Sequence, residues 1–261
     1  MNQVHTTRDD GSGSAPLAAA VEAAWRDFHG ANYLRHNARR QEHLATLGLE
    51  LAGRSVLELG AGIGDHTTFF LDRGCDVTSI EPRLENCQLY GALMQQRISE
   101  GYMPASRSRI IRADALSFES VLHEQFDIIY CYGLLYHTEE PEKVIAAIAR
   151  NCRHLLLLET CVSVGAHEAI NPVPELADVP SQSVSGKGCR PTRPWLFARL
   201  SELFAHVYVP RTQPAHEEFP LDWTIPPQPG RDTRAVFIAA RRPLTNPLLL
   251  DVLPDRQDAC S

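Results

Sequence analysis

The rhythm of apolar positions changes once along this chain. Between residues 16 and 47, isolated apolar side chains recur at helical spacing among alanines and long polar residues. Ala20, Ala24, Phe28, Leu34, Leu44 and Leu47 are the candidate core contacts, and Gly30 divides the run in two. Beyond Gly53, short apolar runs alternate with helical stretches, the pattern of βαβ units around a parallel sheet. The runs 55–60, 76–81, 109–114, 126–132 and 154–160 predict five strands. Asp65 to Arg73 predicts a helix closed by Gly74. Leu84, Cys87, Gly91, Met94 and Ile98 mark one face of a second helix. Thr138 is the expected cap of a third, with Glu139, Glu140 and Glu142 in its first turn and Val144, Ile145, Ile148 and Cys152 inward.

Residues 162–193 lose this periodicity, and a stretch of that length without regular structure is expected to be either functional or disordered; the expectation taken is a lid loop. A short helix from Trp195 to Phe204 follows, then strands at 206–210 and 234–241 separated by polar, Pro-rich 211–233. The expected layout is a disordered arm over 1–14, one domain over 15–242 with 15–50 as a helical cap, and a tail over 243–261.

Composition narrows the function classes. With 261 residues, 44% of them apolar, the chain can build one full α/β core. A formal charge of −7 argues against a broad nucleic-acid footprint. Seven cysteines, with no C-x-x-C pair, predict reduced thiols in a cytoplasmic protein and no metal site. The polar opening predicts no signal peptide, and no apolar run approaches the roughly 20 residues that span a bilayer, so no membrane partner is expected. Nothing in the pattern fixes an oligomeric state.

The chemistry gathers where strands should end. Gly60-Ala61-Gly62-Ile63-Gly64 follows the first strand and lets a ligand approach the main chain. Glu81 ends the second strand, where a carboxylate can accept both hydroxyls of a ribose. Asp114 ends the third and can accept an exocyclic amine of adenine. Open α/β sheets bind ligands at that edge.

The run V-L-E-L-G-A-G-I-G, with these two acids, is similar to the class I S-adenosylmethionine-dependent methyltransferase family over about residues 54–160, and the two late strands fit that family's antiparallel sixth and seventh. The resemblance implies a Rossmann-like, seven-stranded, mostly parallel sheet with helices on both faces and an N-terminal helical cap. It places Gly60, Ala61, Gly62 and Gly64 at the methionine part of S-adenosylmethionine, with Glu58 supporting the loop. It places Glu81 at the ribose, Asp114 and Ala115 at the adenine, and Tyr33 and Tyr132 around the cofactor. A dinucleotide is the competing ligand, but its G-x-G-x-x-G fingerprint is not met, since Gly64 comes one residue early.

On the acceptor side, His137 follows the fourth strand and is the expected general base; a structural histidine beside the helix is the alternative. Tyr136, His167, Arg190 and His216 are expected to touch substrate. Methyl transfer displaces an already activated sulfonium, so alignment and exclusion of water matter most. The expected acceptor is a small molecule methylated on oxygen or nitrogen. Two alternatives stay open. One is RNA modification, since G-L-L-Y-H resembles the corresponding segment of a tRNA wobble-uridine alkyltransferase family. The other is a catalytically silent binding protein.

Overall fold

In the computed structural model, which describes residues 14–260, the helical cap is α1 (Ser14–Phe28) and α2 (Ala31–Thr46), divided at Gly30 as expected. The expected arm lies outside the described residues, apart from Ser14, which opens α1. There follow β1 (Ser55–Leu59), α3 (Thr67–Leu71), β2 (Asp76–Ile80), α4 (Leu84–Ser99), β3 (Ser108–Ile111) and β4 (Phe126–Tyr132). Next come α5 (Pro141–Asn151), β5 (Cys152–Cys161), β6 (Ile170–Pro174), β7 (Lys187–Pro191) and α6 (Arg193–Leu203). The chain ends with β8 (His206–Pro210), β9 (Thr212–Gln213), β10 (Arg234–Ala240), β11 (Leu249–Leu250) and β12 (Asp258–Ala259).

The central strands are apolar throughout because both faces of the sheet are covered. Leu57, Leu59, Ile129, Leu156 and Phe237 join one core with Ile145 and Ile148 of α5 and Leu196 of α6. Val56, Ile128, Leu157 and Ile238 join the other with Leu44 of α2, Phe70 of α3 and Tyr90 of α4. The sheet order is β11-β8-β10-β5-β4-β1-β2-β3, eight strands rather than seven. The extra strand is β11, which pairs antiparallel with β8. Strands β3, β2, β1, β4 and β5 pair in parallel. The late strands β8 and β10 are antiparallel to each other, and β10 also runs against β5. No described helix is long and apolar enough to cross a membrane.

Several local expectations are corrected. The helix expected over 65–73 shrinks to the five residues of α3. On α4 the buried line is Asn86, Tyr90 and Met94, while Leu84 is exposed; the Tyr90 hydroxyl reaches Ser79 at 3.0 Å and Ser108 at 2.7 Å and turns that face to the sheet. Helix α5 begins at Pro141, whose missing N–H suits a first helical position, and only Glu142 lies in its first turn. Thr138 instead accepts the Glu140 N–H at 3.1 Å in the preceding turn. Leu34 is exposed, because α2 buries His36, Asn37, Arg40, His43 and Leu44 instead. Residues 162–193 are not wholly irregular: β6 and β7 pair antiparallel as a hairpin. The tail is part of the fold, through β11, through β12 beside β9, and through Trp223 Nε1 donating to Gln257 Oε1 at 2.8 Å.

Candidate active site

Strand β1 delivers the chain into the glycine loop, where Gly62 has φ 55°. A Cβ there would stand 2.8 Å from the Phe28 ring, so only glycine lets α1 close on the loop. The Gly62 N–H donates to Glu81 Oε2 at 2.9 Å. Glu81 Oε1 accepts the Arg83 N–H at 3.0 Å and Asn86 Nδ2 at 3.1 Å. Burial pushes the Glu81 carboxyl up to about 7, and these three donors oppose the rise. Asp114 is exposed at the rim and accepts the Leu116 N–H at 2.8 Å through Oδ1.

These groups border one cavity of about 640 Å³, which lies within the usual size range for ligand pockets. Its lining follows the sheet order. Asp114 and Ala115 come after β3, Glu81 after β2, Gly60 and Gly62 after β1, Tyr132 at the end of β4, and Arg234 at the start of β10. Tyr33, Tyr136, His137, Arg190 and His216 also line it. A smaller cavity of about 20 Å³ lies behind the loop, lined by Ala61 and Glu58 among others. Five buried polar atoms of its lining lack a partner: Asn37 Nδ2, Arg40 Nε, Asp65 Oδ2, His66 Nε2 and the Tyr132 hydroxyl.

Not every expected residue reaches the main cavity. Glu58 sits beneath the loop, its carboxylate accepting Thr67 Oγ1 and, at 2.9 Å, Ser79 Oγ; burial pushes its carboxyl up to about 7. Ala61 borders only the smaller cavity. Gly64 faces α4, where a Cβ would stand 2.8 Å from the Tyr90 ring. His167 is exposed and away from the cavity, held there by its carbonyl, which accepts Thr192 Oγ1 at 2.7 Å.

His137 ends a single 3-10 turn, Leu135–His137, and its Nδ1 is bonded to Glu175 Oε2. With Nδ1–H donated to the carboxylate, Nε2 carries the free lone pair. Burial pulls the imidazole down from its ordinary value, and Glu175 only partly offsets this, so the ring is neutral at neutral pH. Glu175 comes from the hairpin. That hairpin packs so closely on the 3-10 turn that a Cβ on Gly188 would lie 2.5 Å from the Tyr136 carbonyl oxygen. Its connection, residues 175–186, reaches the other side of the cavity. There Arg83 Nη2 donates to the Ala177 carbonyl at 2.8 Å, and the Ser181 N–H donates to Asp27 at 3.2 Å.

Sequence reading missed a buried ionic network. Arg40 donates to Glu159 Oε2 at 2.9 Å and Arg234 to Glu159 Oε1 at 3.1 Å. Arg234 also donates to Glu218 at 2.6 Å and to the Tyr136 hydroxyl at 3.1 Å. Burial would raise the Glu159 carboxyl, but the two guanidiniums outweigh it and hold the group below the usual carboxylate range. A signal existed: Glu159 interrupts the apolar run H-L-L-L-L-E-T, and Arg234 opens R-A-V-F-I-A-A. Glu159 pairs with Val236 in the sheet, which puts Arg234 on its diagonal and on the same face.

A family model described as a methyltransferase domain matches residues 32–208. The ubiquinone biosynthesis O-methyltransferase of Stutzerimonas stutzeri (strain A1501) is 32% identical over 131 residues, 49% of this chain and 50% of that protein. The chain thus spans about half the length of the curated relatives it matches. Among solved structures, the N-terminal domain of EvdMO1, determined in the presence of SAH and D-fucose, is similar with a TM-score of 0.60 and 20% identity, over 92% of this chain and 100% of that one. A Burkholderia thailandensis 1,6-didemethyltoxoflavin-N1-methyltransferase, with bound 1,6-didemethyltoxoflavin and S-adenosylhomocysteine, has a TM-score of 0.52 and 18% identity, over 92% of each chain.

Proposed function

Because this chain belongs to the methyltransferase-domain family, we propose that it transfers the methyl group of S-adenosylmethionine to an oxygen or nitrogen of a small molecule. One observation carries the proposal. Gly62, Glu81 and Asp114 border a single cavity that continues past Tyr132 to His137. The residues present fit the cofactor. Glu81 would accept the ribose hydroxyls and Asp114 the adenine amine. Asp65 offers an unpartnered carboxylate oxygen beside the glycine loop, which suits the amino group of the cofactor's amino-acid end. Support for the acceptor class comes from the relatives named above and from the charge of −7, which disfavours RNA. All seven cysteines are free thiols, which supports a cytoplasmic setting.

When bound, S-adenosylmethionine supplies an electrophilic methyl carbon on a good leaving group. The protein's part is alignment, dryness and proton removal. Tyr132 and Tyr136 border the path, and His137 Nε2 takes the acceptor proton. Residues 162–193 are the lid: Glu175 is bonded to His137, and the Pro180 carbonyl accepts Asn86 Nδ2, itself a partner of Glu81, at 3.3 Å. Hydrogen exchange across 175–186 should slow when S-adenosylhomocysteine and acceptor are both bound; unchanged exchange at saturation would remove the lid. S-adenosylhomocysteine binding tests the proposal as a whole, since a dinucleotide-binding protein would take NAD instead.

A further inference from the structure

We propose that His36, His216 and Glu218 form a binding site for one divalent transition-metal cation on the wall of the main cavity. Helix α2 presents His36, and the loop after β9 presents His216 and Glu218. One ring nitrogen of each histidine and one carboxylate oxygen of Glu218 all lie within 4.8 Å of one another. His36 Nε2 is 3.7 Å from Glu218 Oε2. Bonds of about 2.0–2.2 Å to a common ion require the donors to draw together by about 1 Å, a side-chain adjustment.

The second observation is that both histidines are buried and both Nε2 atoms lack a partner. Buried polar atoms are almost always paired, and two unpaired ones gathered beside one carboxylate point to a ligand.

The surroundings fit a cation. Arg234 Nε donates to Glu218 Oε2 at 2.6 Å, and the Arg234 N–H donates to the Glu218 carbonyl at 2.7 Å, so the carboxylate is held in place. The nearby guanidiniums are already matched: Arg35 pairs with Glu217, Arg40 with Glu159, and Arg234 with Glu159 and Glu218. Ligation through His216 Nε2 moves its ring proton to Nδ1 and gives up only a long 3.3 Å contact from the Glu218 N–H. Two imidazoles and one carboxylate suit zinc, iron(II) or manganese better than magnesium or calcium, which prefer oxygen. Such a set leaves coordination positions open to the cavity, where an acceptor oxygen can bind. That last role rests on the methyl-transfer proposal; the site itself does not.

The test uses the full chain stripped with a chelator and titrated with cobalt(II) and with zinc. One equivalent should bind, with ligand-field bands appearing in the visible spectrum on cobalt addition. His216→Gln and Glu218→Gln, checked for folding by circular dichroism, should each weaken binding at least 10-fold. No binding by the stripped wild-type chain, or unchanged affinity in both folded variants, would overturn the site. S-adenosylhomocysteine binding measured on the same stripped chain separates its failure from failure of the methyl-transfer proposal.

Discussion

Replacing His137 with alanine should lower turnover by about 10²–10⁴-fold, the contribution typical of a positioned general base. That corresponds to about 2.7–5.4 kcal/mol of barrier. Cofactor affinity should barely change, because His137 lies past Tyr132, beyond the glycine loop, Glu81 and Asp114. The pH dependence is the sharper readout. Burial lowers the His137 pKa from the ordinary 6.5, so the neutral, competent form prevails at neutral pH and activity is lost as pH falls through that lowered value. Measured as turnover at saturating S-adenosylmethionine, the wild-type profile should therefore carry an acidic limb below about pH 6.5, and the variant should lack it. A variant that loses stability yet keeps turnover and limb would make His137 a structural partner of Glu175 and leave alignment alone as the mechanism.

Replacing Glu159 with alanine should destabilise the protein by about 3–5 kcal/mol, because it strands two buried guanidiniums. Arg40 and Arg234 are almost wholly buried, at 3% and 7% exposure, and neither can turn to solvent without leaving the cavity wall. A loss of that size is a large share of a typical domain's total stability. For a chain of this length it lowers Tm by about 6–20 °C. Glu159→Gln keeps the shape and one hydrogen-bond acceptor, so it should cost less than the alanine variant. Denaturant melts of the two variants check this, and a loss below about 1 kcal/mol in Glu159→Ala would mean the triad contributes little. The pH sign follows from the depressed carboxyl. Stability from Glu159 is present above its unfolded pKa and is lost as pH falls through the lower folded value.

Much of the fold was legible because its strands are either wholly apolar or end in punctuation. Strand β4 has the limits that F-D-I-I-Y-C-Y predicts, and β1 and β2 end one residue before theirs. The cofactor wall was legible for the same reason: Gly62, Glu81 and Asp114 each follow a strand that can be recognised locally. What failed was any inference that equated polarity with exposure. Tyr33, Asn37, Arg40 and His43 are polar at helical spacing, yet Asn37, Arg40 and His43 are buried, with Arg40 and His43 meeting partners from elsewhere in the chain. Arg40 meets Glu159, and His43 Nε2 meets the Thr212 carbonyl at 2.9 Å. The hairpin of β6 and β7 was illegible because Pro, Gly and Asn interrupt both strands, and the pairing is enforced by contact with the 3-10 turn at His137.

Titration calorimetry with S-adenosylhomocysteine and with NAD tests the central claim most directly. S-adenosylhomocysteine should bind one site in the micromolar range, roughly −8 kcal/mol, and NAD should give no heat of binding. Glu81→Ala should weaken that binding by about 1–3 kcal/mol, the loss of charge-assisted hydrogen bonds. Wild-type affinity should fall as pH drops below about 7, where the buried Glu81 carboxyl takes up a proton and can no longer accept from both ribose hydroxyls. Tight NAD binding with no response to S-adenosylhomocysteine would contradict the account.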